Sequence, residues 1–430
     1  MTGLSIGLDL FPLLAALLSA VTCALLGSFL VLRRLSLMGD AISHSVLPGL
    51  VASFLIAQSR SPLAMLVGAA LAGGATVVLV ELVKRLGRVE PGAAMGVVFS
   101  ILFALGVVLI ERAAARHVDL DADCVLHGQL ETLVWYNAPA TLDALLHPRT
   151  LGAVPRQIHV LLASAAASTL FVTVFFKELR IASFDPALAS AQGFSAGAMH
   201  LALMLLVALA TVASFEAVGS ILVIAMLICP AATARLLTDR LHTQVWCSVS
   251  AGALGAILGY WAASAVPGWF GKDSVNAAGS ISVVSGVLLV AAAIASPRHG
   301  LVTRWARRRR LARGTALDDL LASIFRAGEA GRTTPAPTTL TARAFRAARS
   351  LALRRGLVEL QGSTARLTPA GERLARDIVR RHRLWEHYLV DQAGAAPDHV
   401  HPSAELLEHV PVEPQPGPLT DPHGRMIPPA

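Results

Sequence analysis

Nine apolar stretches, over about 8–32, 41–57, 62–83, 92–111, 158–176, 198–214, 216–234, 243–265 and 277–295, occupy most of the first 296 residues. Each is close to the ~20 residues a helix needs to cross a bilayer. The first lacks the basic n-region and small-residue cleavage site of a signal peptide, so it reads as a retained span. The sixth and seventh are separated by a turn near Phe215-Glu216, which allows two spans or one broken helix with a re-entrant piece. The expected fold is an all-α polytopic membrane domain of eight or nine helices.

Charge divides the chain. Residues 1–296 carry 15 basic and 15 acidic side chains, and residues 297–430 carry 21 arginines and 13 acids, so the net +8 sits in the tail. The sequence predicts a membrane domain at 1–296 and a basic juxtamembrane linker at 297–314. A winged-helix-like region at 315–368 and a helical region at 369–430 follow. Basic residues near span ends favour the cytoplasm. Arg33, Arg34, Lys84, Arg85, Arg88, Lys177, Arg180, Arg235 and Arg240 fall on the side of the Arg-rich tail, and Arg60 and Lys272 on the other. That gives an outer N-terminus and a cytoplasmic tail. Cys23, Cys124, Cys229 and Cys247 are scattered, with no CxxC, and read as small hydrophobes rather than a disulfide framework.

The segment 28–48, SFLVLRRLSLMGDAISHSVLP, places Asp40 and His44 four apart at the opening of the second span, on one helical face. Ionisable groups at a membrane span point to function, and an Asp-His pair suits a divalent first-row metal. The alternative is a helix cap with an imidazole facing headgroups. The polar loop at 112–157 gathers His117, Asp119, Asp121, Asp123, His127 and Glu131. That cluster reads as a solvated acidic loop in preference to a cation-attracting vestibule. Glu216 and His200 are further polar groups that could line a pathway. At 183–197, Asp185 precedes Pro186 as the cap of a short helix. The chain has no GxxxxGK[ST] phosphate loop.

Four segments together resemble the metal-type ABC permeases that import zinc, manganese or iron in bacteria. They are GDAISH at 39–44, VDLDADCVLHGQLE at 118–131, SFDPALASAQG at 183–193 and FEAVGSILVIAMLICPAATARLL at 215–237. The resemblance implies a multi-pass protein of the bacterial plasma (inner) membrane that works by alternating access between two permease subunits, alike or related. An extracytoplasmic metal-binding protein would deliver the ion. Asp40 and His44 would contact it in transit, with no cofactor. Asp185, Pro186 and Gly193 would belong to the helix that docks on a separate ABC ATPase subunit, so the chain itself is expected not to be an enzyme.

Past Pro297, RHGLVTRWARRRRLARG is strongly cationic and suited to anionic headgroups. Helical pattern resumes at 315–327 and again at 341–355. GLVEL and ARLTP then read as two strands around Gln361-Gly362-Ser363, and a long helix starts near Pro369. RLTPAGERLARDIVRRHRLWEHYL at 366–389, HVHPSAELLEHV at 399–410 and DPHGRMIP at 421–428 resemble the diphtheria-toxin-repressor-like metal-dependent regulators. By that resemblance His382, Glu386, His401, Glu405, Glu408, His409 and Asp319 are metal ligands, and the acid at Glu405 favours manganese. The spacing independently allows either a nitrogen and oxygen donor site for manganese, iron or zinc or a charged solvated helix face. Pro335 and Pro337 fall where the first helix of the family's DNA-reading motif belongs, and proline breaks helix interiors. The would-be recognition helix keeps Arg343, Arg346 and Arg349 for DNA or phosphate contact. The leading expectation is therefore a divalent-metal permease with a metal-sensing tail. A membrane-anchored or proteolytically released metal-dependent DNA-binding regulator is the second, and an ion-gradient-driven carrier the third.

Overall fold

Residue spacing along the first helix sets the membrane unit. Ala15, Ala16, Ala20, Cys23, Ala24, Leu26 and Phe29 are buried on α1 (Ile6–Leu32), and small side chains there let other helices close around it. The structure is a computed structural model. It describes residues 6–35, 37–58, 61–114, 130–133, 154–271, 275–332, 341–361, 364–410 and 419–429. The chain forms two compact units, Met1–Thr303 and Arg304–Ala430.

In the first unit α1 is followed by α2 (Met38–Ser45), α3 (Leu47–Ala57), α4 (Pro62–Gly87) and α5 (Pro91–Ala114). Then come α6 (Arg156–Val174), α7 (Phe176–Phe184), α8 (Pro186–Ala191), α9 (Ala196–Val218), α10 (Ser220–Leu237), α11 (Leu241–Ala265) and α12 (Ala277–Ala295). Among the described residues nine helical segments are long and apolar enough to cross a membrane, with α2 and α3 together making one of them. The all-α polytopic expectation holds.

Helix α1 packs against α6, α9, α10 and α11. A Cβ at Gly27 would lie 2.0 Å from the Leu227 carbonyl oxygen, so only glycine permits the α1–α10 approach. Hydroxyls deep in the spans bond back to their own helices, as Thr22 does to Leu18 O (2.7 Å) and Ser28 to Ala24 O (2.9 Å). This satisfies polar groups where no water can. Large apolar side chains such as Leu71, Ile101, Val107 and Val283 stay exposed, as a lipid-facing belt requires.

Two breaks differ from the sequence reading. The second span is interrupted at Val46, two residues past His44, because Pro48 has no N–H to continue the ladder. The division between the sixth and seventh spans lies at Gly219 and not at Phe215-Glu216. Gly219 adopts φ +81° and ψ 164°, a region closed to other residues, so α9 ends there and α10 begins at once.

The second unit contains most of α13 (Leu301–Glu329), then α14 (Ala342–Arg354), strands β1 (Val358–Gln361) and β2 (Thr364–Leu367), α15 (Pro369–Asp391) and α16 (His401–Leu407). The basic juxtamembrane stretch at 297–314 is helical from Leu301, where it forms the first half of α13. Arginine is a good helix former, so a charge run need not be a loop. Leu317, Leu320 and Leu321 of α13 meet Ala348 and Ala352 of α14, Val358 of β1 and Ala375 of α15 in one core. The strands pair antiparallel, Val358 with Leu367 and Gln361 with Thr364, giving the expected wing. Pro335 and Pro337 lie outside the described residues, as do Arg60, Lys272 and Cys124.

Candidate functional sites

The membrane unit positions Asp40 and His44 on α2, an eight-residue helix buried on the Met38, Ala41, Ile42 and Ser45 side. The N-cap is Leu37, with no side-chain capping bond, so Asp40 stands inside the first turn and does not cap. Its Oδ1 lies 3.4 Å from His44 Nε2, longer than a good hydrogen bond, and the two side chains are 46% and 27% exposed. His44 meets the rings of Phe99 and Phe103 of α5 edge-on, with centroids 5.5 and 6.1 Å away. One imidazole and one carboxylate are thus held one turn apart, with lone pairs not consumed by strong bonds.

Where α1 ends, Arg33 reaches two other elements. Its Nε donates to Ser183 Oγ of α7 at 3.0 Å, and its Nη1 lies 3.1 Å from His200 Nδ1 of α9. His200 Nε2 is 3.6 Å from Glu81 Oε2 of α4, which also pairs with Lys84 and Arg85. Reading the sequence for isolated motifs missed this network; the arginine directly after an apolar span was the available signal. Ser183 precedes the exposed helix α8. Asp185 caps α8 by accepting from Leu188 N at 2.9 Å, Pro186 fills its first position, and Gly193 turns the chain out at φ +83°. Glu216 pairs with Arg156 of α6. In the loop cluster, Glu131 accepts from Ala277 N at 2.8 Å at the start of α12, and the other members lie outside the described residues.

The tail unit brings six of the seven predicted ligands into two adjoining triads, each with its donor atoms within 4.8 Å of one another. In the first, Glu386 Oε1 lies 3.1 Å from His382 Nε2 and 2.9 Å from His401 Nδ1. In the second, His409 Nε2 is 3.1 Å from Asp319 Oδ1, and Glu408 completes the set. His382 Nδ1 joins the two, 2.6 Å from Glu408 Oε2. Glu405 belongs to neither triad. It lines the same cleft as Asp319, Glu386, His401 and Glu408 of the triads. His401 opens α16 and Glu405 lies within it, while Glu408 follows the last helical residue with helical backbone angles and its N–H bonded to Ala404 O at 2.9 Å. Asp318, 3.5 Å from His409 Nδ1, and Arg326, 3.1 Å from Glu408 Oε2, are site residues that the sequence reading lacked. The Asp318-Asp319 doublet was visible, but its partner lies about ninety residues on.

The electrostatics suit a cation. Burial raises the Glu386 carboxyl, but bonds from His382 and His401 outweigh it and hold it down at about 2. Burial works to lower His382, yet Glu386 and Glu408 keep it raised. Asp318 and Asp319 push His409 up to about 10. Protons on imidazoles therefore do the work of holding converging carboxylates, which is work a divalent ion also does. Glu386 Oε2 is buried with no hydrogen-bond partner among the described residues, leaving a lone pair for such an ion. The donor set, all nitrogen and oxygen, fits manganese, iron or zinc. Arg343, Arg346 and Arg349 all lie on α14, with Arg343 and Arg346 exposed and Arg349 half-buried.

Residues 10–296 match the ABC 3 transport family. Residues 368–413 match the iron dependent repressor, metal binding and dimerisation domain. The chain is 38% identical over 287 residues to the manganese transport system membrane protein MntD of Bacillus subtilis, covering 67% of this chain and 92% of that protein. It is 36% identical over 372 residues to the zinc transport system membrane protein TroD of Treponema pallidum, covering 84% of this chain and 96% of that one, so the similarity extends into the tail. Among solved structures, PsaBC from Streptococcus pneumoniae in complex with Fab aligns with TM-score 0.53 and 29% identity, covering 67% of this chain and 92% of that chain.

Proposed function

Because the chain belongs to the ABC 3 transport family, we propose that it is the membrane-spanning permease subunit of an ABC importer for a divalent transition metal, manganese before iron or zinc. The observation that carries this reading is the Asp40–His44 pair. An oxygen and a nitrogen donor 3.4 Å apart, at a helix break inside a span, can replace part of a hydrated ion's shell without trapping it. Relatives named for manganese or zinc transport support the metal class. The chain works with a second permease subunit, the same or related, and with an extracytoplasmic metal-binding protein. ATP is hydrolysed in a separate ATPase subunit, on which α8 docks through the surface framed by Asp185, Pro186 and Gly193. Phe184 and Leu188, exposed on either side of the cap, are the apolar contacts such docking would bury. The protein resides in the bacterial inner membrane with its tail in the cytoplasm.

A second reading concerns the tail. The two triads sense intracellular metal and, when filled, restrain transport. DNA contact through Arg343, Arg346 and Arg349 is the lesser role, since Pro335 and Pro337 stand in the sequence where the first helix of the DNA-reading motif belongs. The transport reading is tested by manganese uptake in cells expressing the whole system. Uptake is expected to stop when the ATPase subunit is made unable to hydrolyse ATP, and excess iron or zinc is expected to compete. Uptake that survives the inactive ATPase and collapses with the ion gradient would contradict the reading and make the chain a secondary carrier.

A further inference from the structure

Helix α13 has two unlike halves. From Ala316 to Ala327 it supplies the tail core, with Leu317, Leu320 and Leu321 buried. From Leu301 to Arg313 almost every side chain is exposed, including Leu301 at 62%, Val302 at 55% and Trp305 at 54%. A thirteen-residue exposed helical stretch with a tryptophan and three aliphatics invites a partner. Its chemistry identifies which one.

Six arginines lie between 304 and 313, and no acid occurs from 301 to 317. Arg304, Arg307, Arg308, Arg309, Arg310 and Arg313 have no carboxylate partner among the described residues. By contrast Arg298 and His299, just upstream, both pair with Asp239, at 3.3 and 3.1 Å. Leu301, Val302 and Trp305 share one side of the helix, at i, i+1 and i+4. Arg308 and Arg309 follow Trp305 by three and four residues, on that same side one turn further along, and the Arg309 guanidinium lies 3.6 Å from the centre of the Trp305 ring. Leu311 lies off the stripe. A short apolar stripe with tryptophan, followed by arginines, is the pattern of a helix end lying in a lipid interface.

Place agrees with pattern. The last span ends at Ala295, and α13 starts six residues later. Ser296 fastens the junction: its Oγ donates to Leu236 O at 2.5 Å, and its carbonyl accepts from Gly300 N at 3.1 Å and from Thr303 Oγ1 at 2.8 Å. The exposed stretch therefore begins at the rim of the bilayer that holds the last span.

We propose that residues 301–313 form a surface-lying helix that binds the anionic phospholipid headgroups of the membrane the protein spans, with Leu301, Val302 and Trp305 entering the interface and the arginines meeting phosphates. The proposal rests on the membrane-spanning reading of the first unit and on neither the transported ion nor the sidedness of the tail.

The test uses the full chain in nanodiscs of phosphatidylcholine, with or without phosphatidylglycerol, made with brominated acyl chains that quench nearby tryptophan. The Trp305 signal is isolated by subtracting that of the Trp305→Phe protein. Greater quenching in anionic than in neutral discs is expected, falling as salt is raised to about 0.5 M. Each arginine near an anionic surface strengthens binding about fivefold. A variant with Arg304, Arg307, Arg308 and Arg310 changed to Gln is therefore expected to bind roughly 100-fold or more weakly and to return to the neutral-disc signal. Equal quenching in both discs, or anionic-disc quenching that survives the four changes, would overturn the proposal. Duplex DNA that strips Trp305 from anionic discs at physiological salt would also overturn it, making nucleic acid the partner. Both disc faces carry the same lipid and nothing is transported, so failure of the import reading leaves this measurement unaffected.

Discussion

His409 shows how much of the tail chemistry depends on one side chain. Two neighbouring aspartates hold it up at about 10, so it carries a proton throughout the neutral range. A metal entering the Asp319–Glu408–His409 triad must displace that proton, because an imidazole ligates only when neutral. The sign follows: below pH 10 proton and metal compete, and affinity rises with pH, by up to about tenfold per unit for one proton. Manganese titration of the purified full chain, in buffers of different ionisation enthalpy, is expected to show about one proton released per ion at pH 7. Binding that is independent of pH, or that is unchanged in His409→Ala, would contradict this. The resemblance to the metal-dependent regulators pointed to His409 and five of its companions. It did not disclose Asp318 or Arg326, since both act on residues that only folding brings near. Glu405, also expected among the ligands, stands outside both triads but in the cleft that Asp319, Glu386, His401 and Glu408 line.

Elements were legible where one physical cause dominates. Uninterrupted apolarity locates the spans, and strand–turn–strand chemistry locates β1 and β2. Breaks were harder, because they turn on backbone angles that composition does not display. Gly219 is the instance: the polar pair Phe215-Glu216 looked like the turn, while the glycine three residues on supplies the required φ of +81°. Glu216 instead stays helical and pairs with Arg156. Gly219→Ala is expected to cost about 1–3 kcal/mol through backbone strain, read as a lowered melting temperature of the detergent-purified protein with its span count intact. An unchanged melting temperature would mean that the α9–α10 junction relaxes without cost. The basic stretch at 297–314 hid an element instead of a break. Its charge marked a change of environment correctly, yet the chain there is helical from Leu301 onward.

At the scale of the whole molecule, a family permease is fused to a segment similar to a repressor's metal-binding domain. If the tail restrains transport when filled, uptake by the wild type falls as intracellular manganese accumulates. In a protein carrying His382→Ala with Glu408→Ala it is expected to continue, because the pair joins both triads. Equal inhibition in the two proteins, followed by time-resolved uptake, would separate the tail from control of transport. The central claim remains the pathway pair in α2. The most direct test is ATP-dependent manganese uptake by the complex reconstituted in proteoliposomes, wild type against Asp40→Ala, with insertion and assembly verified in both. Loss of at least tenfold in uptake rate, with assembly intact, is the expected result, since a weak two-donor contact has no spare ligand. Undiminished uptake would contradict the account and leave Asp40 no part in carrying the ion.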